Sequence, residues 1–253
     1  MRAALRLAGF LLVATLALQL FFLLRVTTML AVTPESTAFQ RSEIWRLVRE
    51  KHRLPWLQEP VARDRISDNL RRAVIASEDA GFVEHHGVEW GAVEKAWNRN
   101  EKAAARVEAQ QQRAAALARR HPNAKQRVAV PKIVGGSTIS QQLAKNLFLS
   151  GERTILRKAQ ELVITMMLEL VLGKERILTT YLNNVEWGEG VFGAQAAAQH
   201  YFHSQAAYLS PPQAARLAVM LPAPKRFEKT PASPYVLGRS ATIVARMGAV
   251  DLP

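Results

Sequence analysis

Arg153–Leu172 reads RTILRKAQELVITMMLELVL and is followed at once by Gly173. A glycine directly after a long helical pattern is a C-terminal stop. From Leu162 to Leu172 the segment is apolar on nearly every face, interrupted only by Thr165 and Glu169. It is too short to cross a bilayer. These features predict the buried central helix of an α-helical domain. On its amphipathic first half, Arg157 and Glu161 are four residues apart and share a face, with Lys158 beside them. Taken alone, that is an ordinary surface ion pair of little value. A carboxylate at the edge of so apolar a stretch, however, is drawn into partial burial and then needs cationic or hydrogen-bonding partners.

Working outward, Lys174–Asn183 continues as a helix whose inner face carries Ile177, Leu178, Tyr181 and Leu182. Ser210-Pro211-Pro212-Gln213 has the capping box and early proline of a helix start, and Ser233-Pro234 opens the last helix. On the N-terminal side, Gly135-Gly136-Ser137-Thr138-Ile139-Ser140-Gln141-Gln142-Leu143-Ala144-Lys145-Asn146 predicts a helix to about Leu149 with a Thr138/Gln141 capping box. Thr138, Gln142 and Lys145 share its polar face, while Ile139, Leu143 and Leu147 line the opposite one. A glycine pair before a helix allows close approach of an anionic ligand, but a well-capped surface helix reads the same way. Further back, Ile66, Leu70, Val74 and Ser77 mark a helical face with Ser67 or Asp68 as cap; the helix runs out at Glu78-Asp79-Ala80-Gly81. Two carboxylates at a helix C-terminus oppose the dipole. That raises a glutamate toward the pKa of a general base, although an exposed acidic turn accounts for the pattern equally well. No run of alternating residues points to strands, so the domain is mostly α.

The remaining signals concern location and partners. Leu7–Leu24 is eighteen residues without a charge, flanked by Arg2, Arg6 and Arg25. Met29-Leu30-Ala31 is a poor cleavage site, so the stretch reads as a retained anchor rather than a signal peptide. The basic N-terminus places it on the cytoplasmic side. Residues 1–30 are then stub and anchor, 31–45 a linker around Pro34, and 46–253 the domain. A second helix is expected over Val88–Trp97. Within the domain, 98–132 is rich in Ala, Gln and Arg, with nine Lys or Arg against Glu101 and Glu108. The chain's net charge of +13 favours an anionic partner: nucleic acid, lipid headgroups or a phosphorylated substrate. With no cysteine there is neither a disulfide framework nor thiolate catalysis. No His-x-x-x-His and no Gly-x-Ser-x-Gly occurs; His86 of the His85-His86 pair is read as support for the Glu78 segment.

Five segments in order resemble the peptidoglycan glycosyltransferase family, in which monofunctional transglycosylases stand beside the N-terminal domains of bifunctional penicillin-binding proteins. They are Glu78-Asp79-Ala80-Gly81-Phe82 with His86-Gly87; Gly135–Asn146; Arg157-Lys158-Ala159-Gln160-Glu161; Lys174–Asn183; and Gly190-Val191-Phe192-Gly193-Ala194 continuing to Tyr201-Phe202. The resemblance covers the chain from about residue 35 and implies a lysozyme-like fold. Two departures stand out: Thr179 replaces a usual acidic residue, and 98–132 is longer and more basic than expected. The chain ends at Pro253 without Ser-x-x-Lys or Lys-Thr-Gly, which points to the monofunctional branch, without transpeptidase activity.

The resemblance implies transfer of an undecaprenyl-pyrophosphate-linked glycan to the sugar 4-hydroxyl of lipid II with inversion. It takes place at the inner membrane, with the domain periplasmic, other cell-wall synthesis proteins nearby and no nucleic acid. Glu78 is implied as base, and Lys145, Arg157 and Lys158 as partners of the pyrophosphate. Glu161 is implied as organiser of that side, through the cations or a divalent Mg2+ or Mn2+ that no motif demands. Asp79, Phe82, Ser137, Thr138, Gln141, Gln142 and Asn146 complete the implied substrate site. A lysozyme-like lytic glycosidase also uses carboxylates, but a neutral glycan needs no cationic clamp. A membrane-tethered basic binder explains the charge and leaves Glu78 and Glu161 without a role.

Overall fold

A computed structural model describes residues 2–120, 136–149, 151–152 and 154–253 of the chain. Residues Met1–Gly87 and Thr138–Pro253 form one compact unit, and Val88–Ser137 form another. The first is built almost wholly from helices: α1 (Arg2–Thr28), α2 (Ala38–Lys51), α3 (Asp68–Glu78), α5 (Ile139–Phe148), α6 (Ile155–Asn184), α7 (Ala194–Phe202), α8 (Pro211–Met220), α9 (Pro224–Phe227) and α10 (Pro234–Met247). The described part of the second unit is α4 (Trp90–Arg120).

The helices begin and end where local chemistry directs. Ser67 accepts from the Leu70 amide and starts α3. Thr138 and Gln141 exchange the two bonds of a capping box at α5, and Pro211 and Pro234 occupy first turns. α6 is broken at Gly173, whose φ of 71° and ψ of 161° suit a residue without Cβ. The core is formed by apolar residues at helical spacing: Leu70, Ala73 and Val74 of α3; Ile139, Leu143 and Leu147 of α5; Ile164, Leu168 and Leu172 of α6; Ala214, Leu217 and Ala218 of α8; Val236, Ile243 and Met247 of α10. α5 packs on α6, and α3, α8 and α10 pack on one another. The C-terminus is tied back to α3 by bonds from Arg71 to the Pro253 carbonyl at 3.0 Å and from Arg72 to the Val250 carbonyl at 2.5 Å.

Four expectations need correction. Leu162–Leu172 is not buried on nearly every face: Leu162, Val163, Met166 and Leu170 are exposed. α5 and the core cover one side of the helix and α1 packs on α6 as well, leaving a third side uncovered among the described residues. The linker is shorter than 31–45, because Thr37 and Gln40 form a capping box that starts α2. A three-stranded sheet exists, with β1 (Leu57–Gln58) parallel to β3 (Val191–Phe192) and β3 antiparallel to β2 (Glu186–Gly188). Strands of two or three residues are too short to show alternation. The helix expected over Val88–Trp97 instead runs as α4 to Arg120, because the Ala, Gln, Arg, Lys and Glu that follow are strong helix formers. The rest of the basic segment, 121–132, and Gly135 lie outside the described residues.

Candidate active site

The end of α3 and the start of α5 define the site. Glu78 is the last residue of α3, and its Oε2 accepts from Gln142 Nε2 at 3.1 Å. Gln142 Oε1 accepts in turn from the Tyr181 hydroxyl at 2.9 Å. The phenol is fully buried, which holds its pKa well above the usual tyrosine value; the charges of Glu78 and Asp79 add to this. It therefore stays a donor, fixes the oxygen of Gln142 toward itself, and turns the amide nitrogen toward the carboxylate. Burial raises the pKa of Glu78 above the ordinary glutamate value, and the neighbouring Asp79 charge acts in the same direction. The bonds from Gln142 and Ser77 oppose the shift without cancelling it. The result is a carboxylate held in one orientation with a strengthened affinity for a proton, the properties of a general base.

Asp79, one residue on, points the other way. At φ −162° and ψ 71° it leaves the helix and enters the interior. Its Oδ1 lies 2.8 Å from His85 Nε2, and its Oδ2 accepts from the Ile139 amide at 2.9 Å. It thus satisfies an orphan amide at the N-terminus of α5, where negative charge is favourable, and locks α3 to α5. The histidine that supports this segment is His85, not His86, which is exposed. Phe82 is wholly buried, with the Lys174 ammonium 4.6 Å from its ring centroid. Lys174 pairs with Glu169 at 2.8 Å, and Glu169 accepts from Ser140 at 2.5 Å. The Thr138 hydroxyl donates to the Gly87 carbonyl at 2.6 Å and is buried. A Cβ on Gly87 would stand 2.8 Å from Thr165, so only glycine fits there.

One turn further along the polar face of α5, Lys145 faces a second cluster. Arg157 Nη1 donates to Glu161 Oε2 at 2.8 Å, and Lys158 Nζ donates to Oε1. The Glu161 side chain is 3% exposed, and Arg157 Nε is buried without a partner among the described residues. Lys145 keeps exposed surface; partial desolvation by the surrounding protein lowers its pKa, Glu161 pulls it upward, and Arg157 and Lys158 push it down. Two cations thus pair with one buried carboxylate and a third acts on it electrostatically, leaving positive charge in excess for an anionic ligand.

The expected residues therefore divide in two. Glu78 at the end of α3, Gln142 and Lys145 on α5, and Arg157, Lys158 and Glu161 at the start of α6 form one set. Asp79, Phe82, Thr138 and Gln141 are buried, and Asp79, Thr138 and Gln141 hydrogen-bond within and between the motifs. Ser137 is exposed just before the α5 cap, and Asn146 is half-buried. The site also uses Tyr181, His85, Glu169 and Lys174, which were not expected in it. The Tyr181 signal was a phenol on an otherwise apolar inner face, since a buried hydroxyl requires a partner. Both Glu161 oxygens are engaged by Arg157 and Lys158, and no group of three or more His, Cys, Asp or Glu that could hold a metal ion occurs among the described residues.

The domain is mostly α and lysozyme-like, and it sets a raised-pKa glutamate near a cationic cluster, an arrangement suited to a glycosyl-transfer enzyme. The sequence matches the transglycosylase family over residues 49–112 and 120–248, and the chain belongs to that family. It is similar to proteins named biosynthetic peptidoglycan transglycosylase. One from Cupriavidus metallidurans is 50% identical over 252 residues, covering 98% of this chain and 97% of that protein. One from Paraburkholderia xenovorans is 47% identical, covering 95% and 90%, and one from Herminiimonas arsenicoxydans is 46% identical, covering 94% and 92%.

Proposed function

We propose that this transglycosylase polymerises peptidoglycan glycan strands from lipid II at the inner membrane, with its domain on the periplasmic side. The donor is the growing glycan on undecaprenyl pyrophosphate, and the acceptor is lipid II. Glu78 takes the proton of the acceptor's sugar 4-hydroxyl as that oxygen attacks the anomeric carbon, and the bond to pyrophosphate breaks with inversion. Gln142, turned by Tyr181, keeps the carboxylate aimed. Arg157, Lys158 and Lys145 take up the charge on the leaving pyrophosphate, and Glu161 holds the first two in place.

The observation that carries this reading is the division of α5 between its two neighbours. Gln142 bonds the base, and Lys145, three residues on, lies within the electrostatic reach of Glu161 and its cations. One helix thus spaces the proton acceptor from the pyrophosphate clamp by about one turn. Lytic cleavage of a neutral glycan would leave the clamp without a task. The test is incubation of the full chain with purified lipid II in bilayers, and separately with finished glycan. Polymer from the first supports the reading; fragments released from the second, with no polymer from the first, overturn it.

A further inference from the structure

The first half of α6 carries an apolar stripe that no element among the described residues covers. Ile155, Leu156, Leu162, Val163, Met166 and Leu170 lie on one side at spacings of three, four and seven; Ile155 is 88% exposed, Leu156 83%, Met166 52% and Leu170 85%. No charged residue interrupts the stripe, which runs for about 22 Å along the helix. An exposed apolar patch of this extent on a soluble surface marks an interaction site.

What adjoins the stripe is the anchor. α1 is long and apolar enough to cross a membrane and is almost unburied except where it meets the domain. There Phe22 and Val26 are buried, and Phe22 packs edge-on against Phe148 at 5.8 Å. Arg25 stands 5.0 Å from the same ring, and the Met29 carbonyl accepts from Arg176 at 2.5 Å. Deeper still, Gln19 and Gln160 exchange two amide hydrogen bonds, of 2.8 and 3.0 Å. Gln19 is the sole amide side chain in the uncharged Leu7–Leu24 stretch, and Gln160 directly precedes Glu161. Because Gln19 meets Gln160 and Met29 meets Arg176, α6 runs beside α1 in the same sense. Gln19 lies six residues before Arg25, which puts Gln160 about 9 Å toward the bilayer centre from the Arg25 level. Leu156, one turn earlier, lies deeper again.

We propose that lipid acyl chains cover the α6 stripe and that the Gln19–Gln160 pair sets its depth, so that the anchor positions the catalytic helix in the bilayer rather than only tethering the domain. Each amide gives one N–H to the other's oxygen, which lowers the cost of holding the pair in hydrocarbon. Arg157 and Lys158, beside the stripe, turn their long side chains along the helix to Glu161, in the direction of the headgroup layer. The proposal extends the membrane side of the reading above and does not depend on its chemistry.

The chain lacks cysteine, so single probes at Leu156→Cys and Leu162→Cys report without background, with Leu237→Cys on α10 as the water-facing comparison. Each labelled full-length protein is placed in phosphatidylethanolamine–phosphatidylglycerol vesicles and quenched by nitroxide acyl chains or by aqueous iodide. Positions 156 and 162 should be quenched from the lipid and position 237 by iodide. Adding Gln19→Leu should reduce lipid quenching at 156 and cut polymerisation about threefold or more, the factor for losing an interhelical bond in lipid, with the protein still in the vesicle fraction. Iodide access at 156 and 162, or unchanged quenching and activity in Gln19→Leu, overturns the proposal. Lipid quenching as expected in a protein that makes no polymer retains the depth assignment and removes the transferase reading instead.

Discussion

Glu78→Gln separates the chemistry at the end of α3 from its architecture. The substitution keeps an oxygen to accept from Gln142 Nε2, now at 3.1 Å to a carboxylate. The bond weakens from the charged class, about 1.5–3 kcal/mol, to the neutral one, about 0.5–1.5 kcal/mol. Against this, the raised pKa of Glu78 means that its surroundings as a whole disfavour the charge. Its folded pKa lies above the unfolded one, so the folded state binds more protons and stability falls as pH rises between them. Removing the charge is therefore neutral or stabilising at pH 7, and the difference vanishes below the unfolded glutamate value. Turnover behaves oppositely: loss of a general base costs about 100- to 10,000-fold, or about 3–5 kcal/mol of barrier. Thermal melts at pH 4 and pH 7 alongside lipid II polymerisation check both halves. Near-normal polymerisation refutes the base assignment, and a melting temperature lowered at pH 7 refutes the electrostatic argument.

Other substitutions test the remaining parts. Asp79→Ala strands the Ile139 amide and His85, and should cost about 2–4 kcal/mol of stability, read by denaturant melts. Tyr181→Phe frees the Gln142 amide to rotate; with the opposing bond weakened, the Glu78 pKa rises further and the acidic limb of the rate profile moves to higher pH, while melts show the loss of one buried bond, about 1–3 kcal/mol. Lys158→Ala, at a half-exposed side chain, should weaken transfer from the pyrophosphate donor with little change in stability, whereas Arg157→Ala should do both, because it exposes the buried Glu161 charge to poorer compensation; donor kinetics and melts distinguish them. Shortening 98–132 between intact motifs should reduce activity more in anionic than in neutral bilayers, by an amount that shrinks as salt is raised.

Helix starts were legible wherever the signal was a short polar pattern next to an apolar one. The Thr138/Gln141 and Ser210/Gln213 boxes fall where expected, and Gly173 breaks α6. The Thr37/Gln40 box has the same spacing but was hidden by Pro34 and the small polar residues before it, whose composition reads as linker. The face of a helix is harder to assign than its existence. Leu162–Leu172 has apolar residues all round, and burial in protein and immersion in lipid both favour that pattern. Only the neighbours of the helix decide between them, and sequence periodicity carries no information about neighbours.

The same limit governs the site. Residue type marked Glu78, Glu161 and the cations as candidates, and the family resemblance implied their roles as proton acceptor and pyrophosphate clamp. It did not separate Glu78 from Asp79, which are adjacent and chemically alike. The separation comes from the backbone: α3 ends between them, so one carboxylate remains on the helix facing Gln142 while the other turns inward to the α5 amide. Their tasks then depend on each other. Asp79 holds α5 by its first amide, α5 carries Gln142 and Lys145, and those two side chains address Glu78 on one side and the Glu161 cluster on the other. A charge buried between the helices thus sets the spacing between the proposed base and the proposed clamp. Asp79→Asn is therefore the sharper variant: the amide keeps an oxygen for either Ile139 or His85 but cannot accept from both, so activity should fall.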